Sequence, residues 1–394
     1  MKPRAGSKAL IREINEALVL DIVRTQAPVS RARIAAQTGL SAASVTGITG
    51  KLVQSGLLIE TEIVRGTGGR PARLIELGRE GVFAAGVRLS GSGALAVVVD
   101  LRGTVVATHA EPLTTLEPGD AAAAVARAVA KAASGMEPRV IGLGVAISGV
   151  VDQASGVVRH SGAMEWADVP FQRILEEAAG EPVVIDSYVN SYARGLLFDG
   201  GFKGREMLVF SVGTSLGTAV VVEGRIQRGF NGSAGGFAHS RAITDGGPPR
   251  RCHCGADDCL ETRASLWGLQ QELQRQGLNR EINSDADSQL IARAAGHVGI
   301  GMANLAKALG PEKVVVGFAP EAWIGTFAEQ AKEAFLVEYQ HANTPPPGVE
   351  AVTTDHAAVA RGAACAVLAG LFTARDSQPE GLQPEELQPA AETA

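Results

Sequence analysis

The sequence predicts an α/β protein in two parts: an N-terminal winged helix-turn-helix domain and a larger body of two α/β lobes. Three observations carry this. Residues 1–80 are basic and read as helix, turn, helix and hairpin. After Phe83, buried apolar strands alternate with helices. That alternation runs through twice, each half opening on antiparallel strands around a glycine-rich turn. A chain of 394 residues is too long for one ordinary core, and two or three domains are expected. A hydrophobic content of 45% with 20% charged residues belongs to a globular protein, and 48 glycines imply many tight turns and close backbone approaches.

In the N-terminal part, Ala9 to Gln26 reads as an amphipathic helix with Leu10, Ile14, Leu18 and Ile22 on one stripe, ended by Pro28. Ser30 caps a short second helix through Gln37, Gly39 supplies the tight turn, and Ser41 caps a third helix to about Gln54. Within that helix Val45, Ile48 and Leu52 face a core. The outward residues, with Ser41, Ala43, Ser44, Thr46 and Lys51, are the candidate DNA contacts, because the second helix of such a pair enters the major groove. That face has no Arg, Asn or Gln for bidentate base contacts. Ile59–Val64 and Leu74–Leu77 read as the strands of a wing, and Arg70 at its Gly-rich tip is suited to a narrow minor groove. An ordinary three-helix bundle with a hairpin is the plain alternative. Charge argues against it: residues 1–80 hold 12 Lys+Arg against 7 Asp+Glu, a net of +5. The remaining 24 against 35 give −11.

In the body, residues 81–110 read as three strands, Asp120–Ala133 as an alanine-rich helix, and VIGLGVAISGVVD as a buried strand with a glycine-rich turn. Phe171–Ala179 is a helix, PVVIDS a strand and Asn190–Leu197 a short helix. The second half repeats this with MLVFSVGTSLGTAVVVEGRIQRG, helices over Leu266–Gln276, Asp285–Ala295 and Gly299–Leu309, the strand KVVVGFAP, and a closing helix Ala357–Phe372. The expected domains are residues 1–80, a first lobe over 81–190 closed by the helix at 355–373, a second lobe over 191–354, and a Pro- and Glu-rich disordered tail over 374–394. No apolar run reaches the roughly 18 residues that span a bilayer, and MKPRAGSKALIRE lacks a signal-peptide core; no membrane partner and a cytoplasmic location are expected.

Three of the four cysteines, Cys252, Cys254 and Cys259, fall within eight positions. A metal site, a redox pair and a chance cluster are all open on spacing alone. Cys365, in the closing helix, reads as a small buried side chain.

The segment GGFAHSRAITDGGPPRRCHCGADDCLETRAS resembles the Gly-His and C-x-C-G-x-x-x-C-L-E zinc segments of the ROK family (repressor, ORF, kinase), and GLSAASVT…GGRP is similar to its repressor head and wing. The resemblance runs nearly to residue 373. It implies the actin-like, ribonuclease H-like two-lobed fold of the ROK sugar kinases. It also implies a structural Zn²⁺ held by His239, Cys252, Cys254 and Cys259, a closed Cys₃His set. His253 is a rival fourth ligand, a Cys254–Cys259 disulfide a rival use of the thiols, and iron a metal that thiolates also accept. The same resemblance brings Glu261, His239, Asn190, Trp166 and Tyr188 to the sugar pocket. Glu261 also reads simply as an acid opening a helix, and Trp166 as a core residue.

The departures from the family pattern are specific. The kinases' Asp-x-Gly-Gly-Thr is here Gly86-Val87-Arg88-Leu89-Ser90-Gly91, with Arg88 in place of the Asp. Their Asn-Asp-x-Asn is Ser187-Tyr188-Val189-Asn190, so Tyr188, with a reference pKa of about 10, occupies the base position. Their phosphate-loop glycines have become Ser215 and Ala219, and their Glu before Gly-His is Gly236. The resemblance therefore implies a DNA-binding transcriptional regulator of carbohydrate metabolism, a repressor and not an enzyme, binding a palindromic double-stranded operator as a homodimer or homotetramer. A sugar or sugar-derivative effector in the cleft would reset the lobes. A ligand-independent regulator with a vestigial cleft and an active sugar kinase are the rivals.

Overall fold

The computed structural model describes residues 8–64, 72–78, 81–135, 139–200, 206–242, 247–283, 285–318, 324–340 and 343–372. Arg70 and the proposed tail over 374–394 lie outside them. The chain divides into two compact units, residues 1–82 with 368–394, and residues 83–367.

The first unit contains α1 (Lys8–Gln26), β1 (Val29–Ser30), α2 (Arg31–Thr38), α3 (Ala42–Gln54), β2 (Leu58–Val64) and β3 (Ala72–Leu77). The strands form one antiparallel sheet in the order β1-β3-β2. Local chemistry sets the helix ends. The Ser30 hydroxyl accepts the Arg33 N–H, Gly39 turns left-handed (φ 71°), and the Ser41 hydroxyl accepts the Ser44 N–H.

Two core assignments differ from expectation. In α1 the buried set is Ala17, Val19, Leu20 and Val23, while Leu18 is exposed. A strict i, i+4 series drifts by about 40° per step around a 3.6-residue helix, so the predicted stripe rotates off the core. In α3 Thr49, not Ile48, joins Val45 and Leu52 inside. Its hydroxyl is satisfied there: it donates to the Val45 carbonyl and accepts from Arg31 Nε, both at 2.8 Å.

The second unit holds two five-stranded sheets with one connectivity. The first is built from β4 (Val82–Ser90), β5 (Gly93–Val99), β6 (Val105–Pro112), β7 (Arg139–Ile147) and β11 (Val183–Ser187), in the order β11-β7-β4-β5-β6. Between β7 and β11 lies a small sheet of β8 (Val150–Asp152), β9 (Val157–Ser161) and β10 (Trp166–Val169). The helices α4 (Pro118–Ala132) and α5 (Phe171–Ala179) pack on this lobe, and α6 (Tyr188–Phe198) follows β11. The second sheet is built from β12 (Met207–Val212), β13 (Leu216–Val222), β14 (Arg225–Gln227), β15 (Lys313–Phe318) and β16 (Gly348–Thr353), in the order β14-β13-β12-β15-β16. Its helices are α7 (Glu261–Ala264), α8 (Leu266–Arg275), α9 (Ser288–Leu309) and α10 (Ile324–Glu338), and α11 (His356–Phe372) closes the chain's described part. In each lobe three strands form an antiparallel meander and two more extend the sheet beside its first strand. The central β12 is buried at every residue, as a strand covered on both faces must be.

A third apolar cluster joins the lobes: Ala146 from the first, Val209, Ala219 and Val315 from the second, with Val189 and Tyr192 of α6 and Val359 and Ala363 of α11 between them. Glycine makes this seam possible. A Cβ on Gly86 or Gly144 would collide with the carbonyls of Ala360 or Ala363, so α11 lies directly on β4 and β7.

The sequence expectation of two helices over Asp285–Ala295 and Gly299–Leu309 is corrected to the single 22-residue α9. Gly299 is a contact point, not a break: a Cβ there would meet the Ala331 carbonyl of α10. Helix α10, strand β16 and the small sheet were not foreseen.

Candidate functional site

The cysteine cluster sits on a tight loop pinned to the segment that carries His239. Arg251 bridges Asp257 and Arg241 bridges Cys259, while the Leu260 N–H bonds the Ser240 carbonyl at 2.9 Å. Behind the loop Asp258, in the left-handed region (φ 57°), makes a buried ion pair with Arg263 at 2.8 Å. The ligand atoms of His239, Cys252, Cys254 and Cys259 all lie within 4.8 Å of one another. Cys252 Sγ is 3.6 Å from His239 Nδ1, and Cys254 Sγ is 3.6 Å from Cys259 Sγ. A tetrahedron with Zn–S bonds of about 2.3 Å and a Zn–N bond of about 2.1 Å has edges of about 3.6–3.8 Å, so the donor set fits zinc.

The rival uses fit less well. None of the four cysteines is in a disulfide, and 3.6 Å is far beyond the roughly 2.05 Å of an S–S bond. His253 stacks edge-on against His239 at 5.5 Å and against Trp267 at 5.0 Å, outside the four-residue cluster. Burial pushes the His239 imidazole below its usual pKa, which keeps it neutral, the form a metal binds. Burial raises the Cys252 and Cys259 thiols, while at Cys254 burial is outweighed by hydrogen bonds from the Ala256 backbone and the neighbouring thiols, which lower it, so without a cation two of the three thiols resist ionisation.

Glu261 follows the cluster and opens α7. It is 1% exposed, and its Oε2 accepts the Leu216 N–H at 2.8 Å, tying the metal loop to the turn between β12 and β13. Among the described residues its Oε1 has no hydrogen-bond partner, and burial raises its pKa to about 7.

At the junction of the lobes, Arg88 of β4 lies over the Tyr188 ring, 5.7 Å from its centroid. These are the two positions at which the sequence departs from the kinase carboxylates, and here they touch. Burial pushes the Tyr188 hydroxyl above its usual pKa, further from any role as a base at pH 7. Asn190 is buried, with Nδ2 donating to Asp186 Oδ1 at 2.9 Å and, among the described residues, no partner for its Oδ1. Trp166 packs into the first lobe's core against Phe171, centroids 4.5 Å apart, and its Nε1 donates to the Leu116 carbonyl. The core reading is the one this geometry matches.

One functional pair escaped the sequence. Asp186, at the end of β11 in the first lobe, is buried and accepts from both Nε (3.1 Å) and Nη2 (2.6 Å) of Arg228, which follows β14 in the second. The two are 42 residues apart, and no local pattern marks them. Removing one partner of a largely buried ion pair leaves the other uncompensated. Asp186→Asn is therefore expected to destabilise the protein by about 3 kcal/mol in urea unfolding; a change under about 1 kcal/mol would mean the pair does not clasp the lobes.

In the first unit Ser41, Ala43, Ser44, Thr46, Gly47 and Lys51 are all exposed along one face of α3. Thr46 donates its hydroxyl to the Ala42 carbonyl, and Lys51 Nζ is paired with Glu16 of α1 at 2.7 Å.

Comparison with known proteins places this architecture. A model described as "ROK family" matches residues 84–369. The xylose repressor of Caldicellulosiruptor bescii is 25% identical over 359 residues, covering 83% of this chain and 88% of its own. The DNA-binding transcriptional dual regulator NagC of Escherichia coli K12 is 27% identical over 334 residues, covering 79% and 82%. A solved ROK family transcriptional regulator, a homolog of the E. coli MLC protein, superposes with a TM-score of 0.77 at 20% identity over 92% of this chain and 97% of its own, a likeness of fold. The match across most of the body, with the doubled five-stranded sheets and the clustered His239, Cys252, Cys254 and Cys259, makes this chain a member of the ROK family.

Proposed function

We propose that the chain is a ROK-type transcriptional repressor. It binds double-stranded DNA through the winged helix-turn-helix of residues 1–80, and it carries no kinase activity. The observation that carries this is the Arg88–Tyr188 contact. Phosphoryl transfer needs a base and a metal-holding carboxylate in place together, and a cation stacked on a phenol supplies neither. The α3 face then reads DNA with small side chains, and Arg70 supplies a minor-groove contact.

The zinc held by His239, Cys252, Cys254 and Cys259 is structural on this reading: four protein ligands leave no open position for a substrate. Tyr188, Asn190 and Glu261 are the residues that bound an effector in the cleft. His239 is committed to the metal and Trp166 to the core. The regulator works as a dimer or tetramer on a two-fold symmetric operator, with half-sites about one helical turn apart or a multiple of it. An effector acts by preferring one lobe arrangement over another.

The test is fluorescence anisotropy of the purified, zinc-loaded protein on operator DNA, titrated with sugars, amino sugars and their phosphates. One class is expected to shift DNA affinity. Arg70→Ala is expected to weaken DNA binding at least about tenfold, and unchanged affinity would remove the wing from the interface. The ligand-independent reading draws on the same Arg88–Tyr188 contact as a plug. It predicts DNA binding that no member of the panel alters.

A further inference from the structure

Where β4, α6 and the start of α11 converge, the charges do not balance. The Arg88 Nε is sealed from water with no acceptor, and among the described residues neither Nη is hydrogen-bonded or ion-paired. Its guanidinium lies over the Tyr188 ring, 5.7 Å from the centroid. The Tyr188 hydroxyl also makes no hydrogen bond among the described residues. Burial, and after it the Arg88 charge, lowers the pKa of His356, the first residue of α11, and leaves it neutral at pH 7. Asp355 is the nearby carboxylate. One of its oxygens accepts the Ala358 N–H at the start of α11, and neither pairs with Arg88.

A half-buried cation without a counter-charge is costly, and a protein ordinarily pairs it. Burial lowers the Arg88 pKa, but a guanidinium stays charged at neutral pH. It therefore waits for an anion from outside the chain. Stacking on an aromatic face leaves the guanidinium edge free, and that edge matches two oxygens of a phosphate or a carboxylate.

We propose that this corner is an oxyanion site: the cleft takes an anionic ligand, with Arg88 holding two of its oxygens and the Tyr188 hydroxyl donating to a third. The inference rests on the effector reading of the cleft and narrows its ligand from sugars at large to those bearing a phosphate or carboxylate. The unpaired fork is then the recognition element, and the Tyr188 ring fixes its orientation.

Calorimetric titration of the zinc-loaded full chain tests it with four probes: glucose, glucose 6-phosphate, gluconate and inorganic phosphate. At least one anionic probe is expected to bind at least about tenfold more tightly than glucose, and the phosphate and carboxylate arms identify the oxyanion. Arg88→Gln should lower that affinity about tenfold or more, to the level of the neutral sugar. Arg88→Lys should retain part of it, because the charge remains while the parallel geometry is lost. Arg88→Lys also serves if the Gln variant fails to fold. Glucose binding as tightly as every anion, or an anion affinity unchanged in the Arg88 variants, overturns the proposal and leaves a neutral-sugar effector standing. No binding of any anionic probe by the folded protein also overturns it, and DNA binding by the same preparation then shows whether the regulator reading survives.

Discussion

The Cys259→Ser protein is expected to lose its zinc and to melt about 5–10 °C below the wild type. Cys259 is buried, contributes one ligand, and begins the segment that Glu261 ties to the β12–β13 turn. Without the cation, three thiols and an imidazole in a closed loop lose the one partner common to all. The loop retains its strand bridges and the Asp258–Arg263 pair, so the loss is local, of about 3–5 kcal/mol rather than the larger figures of isolated zinc peptides. In a unit of this size each kcal/mol moves the melting temperature by about 2 °C. Zinc released on denaturation should be one per chain in the wild type and in Cys365→Ser, whose thiol lies in α11 away from the cluster, and none in Cys259→Ser. Equal melting of the wild type with and without metal would refute a structural role.

Gly47→Glu is expected to lower DNA affinity by at least about a hundredfold without unfolding the protein. Gly47 is exposed on α3, and a Cβ there meets no atom within 4 Å, so the position tolerates a side chain in the free protein. Its glycine costs the helix about 1 kcal/mol relative to alanine. Close approach to DNA is a reason to carry that cost, and a carboxylate at this spot would face phosphates. Gly47→Ala separates the two effects: stability should rise by up to about 1 kcal/mol while DNA affinity falls. An alanine variant that is both more stable and equally tight on DNA would take Gly47 out of the interface.

Much of the fold was legible in the sequence because its signals are local. Ser30, Gly39 and Ser41 set helix ends through contacts three or four residues away. The alternating strands announced two lobes. Other features depend on partners far along the chain. Gly299 reads as a helix break until α10 is seen lying against it. Thr49 carries no sequence mark of a core position; Arg31, from another helix, is what satisfies its buried hydroxyl. Helix α10 had a readable signal in Phe327, Ala331 and Phe335, four residues apart and buried, whereas β16 is a mostly exposed edge strand with a weak pattern. At the site, the thiols were visible as a cluster. His239 came from resemblance, thirteen residues upstream of Cys252. The substitutions at Arg88 and Tyr188 were readable one at a time, but their contact, and the Asp186–Arg228 clasp, are products of the fold.

The central claim is that the chain recognises DNA specifically, and selection from a random duplex library by the full, zinc-loaded protein tests it most directly. The account predicts enrichment of a two-fold symmetric sequence with half-sites about 10 base pairs apart, or a multiple of that, bound at least about a thousandfold more tightly than random DNA at physiological salt. A pool that stays random after repeated rounds, with the protein folded and its zinc in place, would contradict it.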